Sequence, residues 1–227
     1  MAVLLTIIPA RGGSKGIPLK NLQIINGKTL VERAIFSALE IPGNQIYVSS
    51  DNEEILDLAR GVGVYGIKRS EANSGDDATS ESVILESIPQ INSSFELITL
   101  LQPTSPFIDV ESWSSSIAEM NVNQEVGSMF SAVEKNDFLW ECFEGKWQPV
   151  NHEKNFRLPR QKKLRTVVET GAFYVFRRDL FEIEKTRFCG ETVPVITKNW
   201  TNFDIDTIED LNLCRELSVI FDTKRIQ

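Results

Sequence analysis

The sequence is poor in the residues that many enzymes use for nucleophilic and metal chemistry. It has one histidine, His152, and three cysteines, Cys142, Cys189 and Cys214, in 227 residues. A Ser-His-Asp triad or a multi-histidine metal centre would have to rest on His152 alone, which reads as a loop residue. The cysteines are odd in number, widely spaced and without a Cys-x-x-Cys pair, so neither a disulfide framework nor a zinc site is expected and reduced thiols are the default. No apolar run approaches the ~20 residues of a membrane helix. The N-terminus reads as a core strand with no basic segment before it, so a cytoplasmic protein with no membrane partner is expected. Positive charge is scarce as well: 24 Lys and Arg against 32 Asp and Glu leave a net charge of -8, which argues against a general nucleic-acid binder. There is no internal repeat and no low-complexity segment. Basic residues that cluster against this background therefore carry information.

They cluster at once. The apolar run Val3-Leu4-Leu5-Thr6-Ile7-Ile8 empties into Pro9-Ala10-Arg11-Gly12-Gly13-Ser14-Lys15-Gly16-Ile17-Pro18-Leu19-Lys20-Asn21. Three glycines let the backbone approach an anion closely with several N–H groups turned inward, while Arg11, Lys15 and Lys20 bring positive charge to the same place. That is the chemistry of a phosphate cradle.

Downstream the chain reads as alternating strands and helices. Asn26-Gly27 marks a turn, and Thr29 with Glu32 has capping-box spacing ahead of a helix bearing Leu30, Val31, Ala34, Ile35 and Ala38. Ile46–Ser50 reads as a strand, Asp51 as the N-cap of a second helix, Gly61 as its C-cap and 62–67 as a third strand. A helix bearing Val83, Ile84 and Ile88 precedes a central strand over 95–101, which ends in the rigid loop Gln102-Pro103-Thr104-Ser105-Pro106. A helix near 110–120 and a strand over 126–133 complete a pattern that implies a largely parallel sheet covered by helices on both faces. Ligands bind such sheets beyond the carboxyl ends of the strands. The rhythm breaks at about 134–170, where a hairpin around Glu144-Gly145-Lys146 and the cations Lys154, Arg157, Arg160, Lys162, Lys163 and Arg165 suggest an insertion within a single domain spanning 1–227. Strands over 171–176 and 193–196 follow, the latter an edge strand because of Pro194, and Thr207 caps a last helix.

Two carboxylates stand just before that helix. Asp204 and Asp206 have period-two spacing, so an extended backbone projects both to one side and turns Ile205 inward. Next to a triphosphate site, such a pair suits Mg²⁺, which takes one or two protein carboxylates and completes its shell with phosphate oxygens and water. Two other patterns do not hold. Gly61-Val62-Gly63-Val64-Tyr65-Gly66 matches G-x-G-x-x-G but follows a helix and enters a strand, the reverse of the dinucleotide fingerprint, and Gly27-Lys28-Thr29 has Leu22 where a Walker A loop needs its first glycine.

The segment from Ile7 to Asn21 resembles the opening signature of the acylneuraminate cytidylyltransferases, the CMP-sialic acid synthetase family. Four further stretches agree in order and spacing: Arg69 with Asp76-x-Ala78-Thr79-Ser80, Leu100 to Pro106, Thr170-Gly171-Ala172-Phe173-Tyr174, and Asp204-Ile205-Asp206. The resemblance implies a Rossmann-like nucleotidyltransferase fold, with a β-rich dimerisation insertion, that moves CMP from CTP to the anomeric hydroxyl of a nine-carbon 2-keto sugar acid with Mg²⁺ and releases pyrophosphate. It implies that Arg11, Lys15 and Lys20 hold the triphosphate, that Asn21, Arg69, Ala78 and Ser80 line the cytidine pocket, and that Gln102 and Tyr174 belong to the substrate site. By the same resemblance Asp204 and Asp206 carry the metal, and Arg11, Lys20 and Asp206 form the catalytic set. The basic insertion becomes an arm that crosses to a second subunit of a homodimer, with Arg160 reaching the partner's sugar acid.

Two departures, Phe107-Ile108 where the family commonly has an arginine and Asn136-Asp137-Phe138 without its usual proline, fall where the sugar acid is expected. The identity of the acid, the general base and the number of metal ions stay open. The alternatives are a cytidylyltransferase for the eight-carbon acid 3-deoxy-manno-octulosonate and a non-catalytic nucleotide-binding domain.

Overall fold

A computed structural model describes residues 3–159, 161 and 164–224. Strand β1 (Leu4–Pro9) lies inside a seven-stranded sheet, parallel to β4 (Asn44–Ser50) on one side and to β6 (Leu97–Leu101) on the other, with β5 (Tyr65–Lys68) at the edge beyond β4. Past β6 come β10 (Val167–Arg177), β7 (Val126–Glu134) and β11 (Glu191–Ile196), giving the order β11-β7-β10-β6-β1-β4-β5. A small ribbon, β2 (Ile24–Ile25) with β3 (Lys28–Thr29), turns through Asn26 and Gly27, both at positive φ.

Period-two alternation distributes the sheet's side chains between two cores. Leu4 and Ile8 of β1, with Leu97 and Leu101 of β6, pack under α1 (Leu30–Leu39), α2 (Glu53–Val62) and α4 (Val110–Val122). Leu5, Ile7, Ile98 and Leu100 face the opposite way, under α3 (Ser80–Ser87) and α5 (Arg178–Glu184). Burial on both faces explains why these strands read as continuous apolar runs. Polar groups that the alternation buries are satisfied: Thr6 donates to Asn44 Oδ1 at 2.8 Å, and the Trp113 indole N–H donates to Thr99 Oγ1 at 3.2 Å.

The helix starts follow their capping chemistry. Thr29 and Glu32 form the expected reciprocal capping box ahead of α1. At α2 the cap is Asn52, which accepts from Ile55 N, while Asp51 is taken by the glycine loop; the helix ends at Gly63 in the left-handed region (φ 86°), two residues past the expected Gly61. That extra half-turn moves the start of β5 to Tyr65.

The expected sheet is mostly parallel, and β10 is its exception: it runs antiparallel to both β6 and β7. The reason lies in the connection. Val167 pairs with Glu134 and Val168 with Val133, so β7 and β10 form one long hairpin whose loop is the insertion, with no crossover helix among the described residues between them. The insertion carries its own ribbon, β8 (Trp140–Phe143) with β9 (Lys146–Pro149), reversed at Glu144-Gly145, both at positive φ. The edge position expected for Val193-Pro194-Val195-Ile196 is the one β11 occupies.

A third apolar cluster decides the geometry of the carboxyl edge. Ile17 of the glycine loop, Phe107 after the proline-rich loop, and Ile205 between the two aspartates pack with Leu211 and Cys214 of α6 (Ile208–Lys224). Arg33 of α1, 8% exposed, forks onto Asp222 of α6 at 2.8 and 2.9 Å and donates from Nε to the Pro106 carbonyl at 3.2 Å. Three segments far apart in sequence are thereby held against one helix.

Candidate active site

Loops following β1, β5 and β6 enclose a cleft at the carboxyl edge of the sheet. The expected residues Arg11, Lys20, Asn21, Arg69, Ala78, Ser80 and Gln102 all line it. The glycine loop is fixed from outside: Gly12 N donates to Asp51 Oδ1 at 2.8 Å, and a Cβ at Gly16 would stand 2.5 Å from the Asp206 carbonyl oxygen. Glycine at 16 is thus what lets the loop touch the Asp204-Ile205-Asp206 segment. The loop then tightens through Leu19, a left-handed non-glycine residue (φ 49°), into a 3-10 turn over Lys20–Leu22.

That turn aims Lys20 and Asn21 in different directions. Lys20 Nζ donates to the Ile205 carbonyl at 2.8 Å and lies 3.1 Å from Asp206 Oδ1, with only 15% of its side chain exposed. Asn21 donates from Nδ2 to the Arg11 carbonyl at 2.9 Å, while its Oδ1 is buried without a partner among the described residues. A buried amide oxygen left open on the cleft wall is an acceptor for a ligand N–H.

Arg69 also lines the cleft and is 6% exposed. Its Nη2 donates to the Ser49 carbonyl at 2.9 Å and its Nε to Ser49 Oγ at 3.4 Å. Burial pulls its guanidinium below its ordinary pKa, with the charge of Asp51 opposing; arginine stays charged regardless. Thr79 caps α3 by accepting from Ser82 N, which puts Ala78 and Ser80 on either side of the cap. Gln102 is fixed by backbone bonds to Ala172 O (3.1 Å) and from Ser105 N (3.2 Å). Beside it β10 bulges at Gly171 (φ 74°), where a Cβ would approach Gln102 Oε1 to 3.3 Å.

Asp204 and Asp206 are exposed on either side of the fully buried Ile205, the alternation expected of an extended segment. Ile205 N donates to the Thr104 carbonyl at 2.9 Å, so this segment is tied both to the glycine loop and to the loop after β6. The donor set is hard carboxylate oxygen, exposed and beside a cationic cradle, which fits Mg²⁺ as one or two protein ligands; among the described residues no cluster of three or more metal-ligand side chains occurs.

Other expected residues lie elsewhere. Lys15 does not line the cleft but reaches across to Asp76, at 2.7 Å. Tyr174 is 5% exposed within the core under α3, donates its hydroxyl to Glu169 Oε2 at 3.0 Å, and has Arg187 over its ring at 4.8 Å. Burial and the Glu169 charge push its phenol up in pKa. Arg160 lies outside the described residues. Phe107, expected near the sugar acid, is 2% exposed and edge-on to Phe203 and Phe221 beneath α6, so its departure from the family pattern is a core substitution. Asp76 and Thr104 both line the cleft from within the matching stretches, with no role expected of either, and Asp51, expected to cap a helix, instead holds the glycine loop through Gly12.

No helix among the described residues is long and apolar enough to cross a membrane. A family model described as cytidylyltransferase matches residues 5–225. N-acylneuraminate cytidylyltransferase A of Danio rerio is 33% identical over 181 residues, covering 78% of this chain and 42% of that protein. The N-acylneuraminate cytidylyltransferase of Streptococcus agalactiae serotype III is 29% identical over 213 residues, 90% of this chain and 50% of its own length. This chain thus spans about half the length of these relatives or less. Pseudaminic acid cytidylyltransferase of Campylobacter jejuni is 28% identical over 221 residues, with 94% and 95% of the two chains covered. A solved CMP:2-keto-3-deoxy-manno-octonic acid synthetase complexed with CTP shares the fold, with a TM-score of 0.74 over 96% of this chain and 98% of that one at 17% identity. With its cationic glycine loop, buried arginine and glutamine gathered on one cleft of that fold, the chain belongs to the cytidylyltransferase family.

Proposed function

We propose that the protein transfers CMP from CTP to the anomeric hydroxyl of a nine-carbon 2-keto sugar acid. The hydroxyl oxygen bonds to the α-phosphorus, the bond from α-phosphorus to the bridging oxygen breaks, pyrophosphate leaves and the hydroxyl proton is released. The observation that carries this reading is the convergence of Arg11, Lys20, Asn21, Arg69 and Gln102 on one cleft, with Lys20 bonded to the segment holding Asp206. In-line attack at phosphorus asks for alignment and charge neutralisation more than for a covalent nucleophile. Arg11 and Lys20 offer fixed positive charge where the leaving pyrophosphate gains negative charge. The open Asn21 Oδ1 suits the exocyclic amine of cytosine, and Arg69 and Ser80 close the base pocket. Gln102, pinned under the Gly171 bulge, orients the acid. Mg²⁺ held by Asp204 and Asp206 would supply further charge neutralisation on the phosphates.

Nine-carbon acids are favoured over the eight-carbon one because the curated relatives above are N-acylneuraminate and pseudaminic acid enzymes, whereas the octonic acid synthetase shares only the fold. A homodimer accords with the exposed apolar arm. The test is pyrophosphate release with CTP, Mg²⁺ and a panel holding neuraminic, pseudaminic and octulosonic acids. Release with a nine-carbon acid is expected; CTP binding with no release for any acid would overturn the reading. Asp206→Asn should lower turnover far more than CTP affinity, and parent-like turnover would remove Asp206 from the metal site.

A further inference from the structure

The cations assigned to the triphosphate already face an anion of the protein itself. Arg11 Nη1 donates to Asp76 Oδ1 at 2.9 Å and to the Gly75 carbonyl at 3.1 Å, and Lys15 Nζ lies 2.7 Å from Asp76 Oδ2. One carboxylate oxygen serves each cation, the arrangement that two oxygens of a phosphate would offer. Asp76 lines the cleft, so it competes for the space as well as for the charge.

The two sides of the cradle differ. Lys20 is tied to a backbone carbonyl and mostly covered, whereas the Asp76 contacts are solvent-accessible: the Arg11, Lys15 and Asp76 side chains are 34%, 80% and 44% exposed. Exposed ion pairs of this kind exchange partners readily. The loop that carries Asp76 is anchored at both ends, and Asp76 lies on the exposed stretch between the anchors. Ser70 Oγ accepts from Asn73 N and Arg69 holds Asn73 O at one end, and Thr79 caps α3 at the other.

We infer that Asp76 is a displaceable stand-in for a phosphate. It neutralises Arg11 and Lys15 while the cleft holds no nucleotide, yields them to the arriving triphosphate, and takes them back as pyrophosphate leaves. This rests on the CTP-dependent reaction proposed above and goes beyond it, because it gives the chain a built-in competitor that lowers affinity for the inorganic product. A state in which the cations are occupied reduces apparent anion affinity by the fraction of time they are free.

The experiment is calorimetric binding of inorganic pyrophosphate to the full chain, without CTP or acid. Asp76→Asn keeps the size and removes the charge, and should tighten pyrophosphate binding about tenfold. It should also strengthen pyrophosphate inhibition of turnover. Asp77→Asn, an exposed neighbour that loses the same formal charge, should change either value less than about twofold if the effect is local rather than one of net charge. Asp76→Ser serves in place of Asp76→Asn should the latter fail to fold by circular dichroism. Unchanged or weaker pyrophosphate binding in the folded Asp76 variant, or equal tightening in Asp77→Asn, would overturn the inference. Parent turnover separates the two readings: a parent that releases pyrophosphate from CTP while Asp76→Asn binds it no tighter sinks only the stand-in, and a parent that binds CTP but releases no pyrophosphate with any acid sinks the reaction.

Discussion

The sheet and the arm follow the same local rules to opposite ends. In β1 and β6 nearly every apolar side chain is sealed, with Leu5, Ile7, Ile8, Leu97, Ile98, Leu100 and Leu101 all within the two cores. In the arm, Phe143 is 65% exposed, Trp147 68% and Leu164 88%, although the β8–β9 ribbon is as regular as the sheet's own pairings. A two-stranded ribbon has no second layer to bury its face, and alone it is marginal in water. The sheet is finished by its own helices, while the arm leaves apolar surface exposed among the described residues, of the kind that another molecule covers at an interface. In the reading above, that molecule is a second copy.

The sharpest way to break this contrast is to truncate one phenylalanine in each region. Phe107→Ala should cost about 3–5 kcal/mol of unfolding free energy in urea, as a buried aromatic does, whereas Phe143→Ala in dilute monomer should stay within about 0.5 kcal/mol. Equal losses would mean that the arm is as much a core as the sheet. Next in size, Gly16→Ala should cut turnover by about a hundredfold or more, because its Cβ meets the Asp206 carbonyl and misplacement of a loop by an ångström has that effect; parent-like turnover would show that the loop can move aside freely. Trp147→Ser should abolish the concentration dependence of the sedimentation coefficient, and a parent that stays monomeric at all concentrations would remove the dimer.

The smallest effect concerns thiols. Burial pushes Cys189 and Cys214 up to about 11, while Cys142 is exposed on the arm. At mildly alkaline pH a thiol reagent should therefore label one site quickly and the other two only on unfolding. The folded chain keeps protons that the unfolded chain gives up, so stability should fall as pH rises from about 8.5 towards 11. Rapid labelling of all three sites in the native protein would erase the distinction between core and arm.

Much of the sheet region could be read from residues because its determinants are local. The Thr29–Glu32 capping box and the turn at Asn26-Gly27 each follow from side chains within four residues, as does the arm's own hairpin at Glu144-Gly145. The direction of β10 could not be read, since it depends on whether the intervening segment crosses the sheet or returns along it, and the arm returns. The motif spacing gathered most of the cleft, yet it could not tell a lining residue from one behind the wall. Tyr174 and Phe107 both sit in or beside recognised stretches and both point into cores, as their place in the pleat and the α6 contacts dictate. Asp76 stayed without a role for a related reason: its partners are 65 and 61 residues away and meet it only in three dimensions.

The contacts between the glycine loop and the Asp204–Asp206 segment also set a timetable. Lys20 meets Ile205 across 185 residues, and Arg33 meets Asp222 across 189. During synthesis the glycine loop is made well before the carbonyl that holds Lys20, which follows it by 185 residues. The cradle can therefore gain its working shape only after the chain has passed Asp206, and a nascent chain shorter than that carries the signature without the geometry.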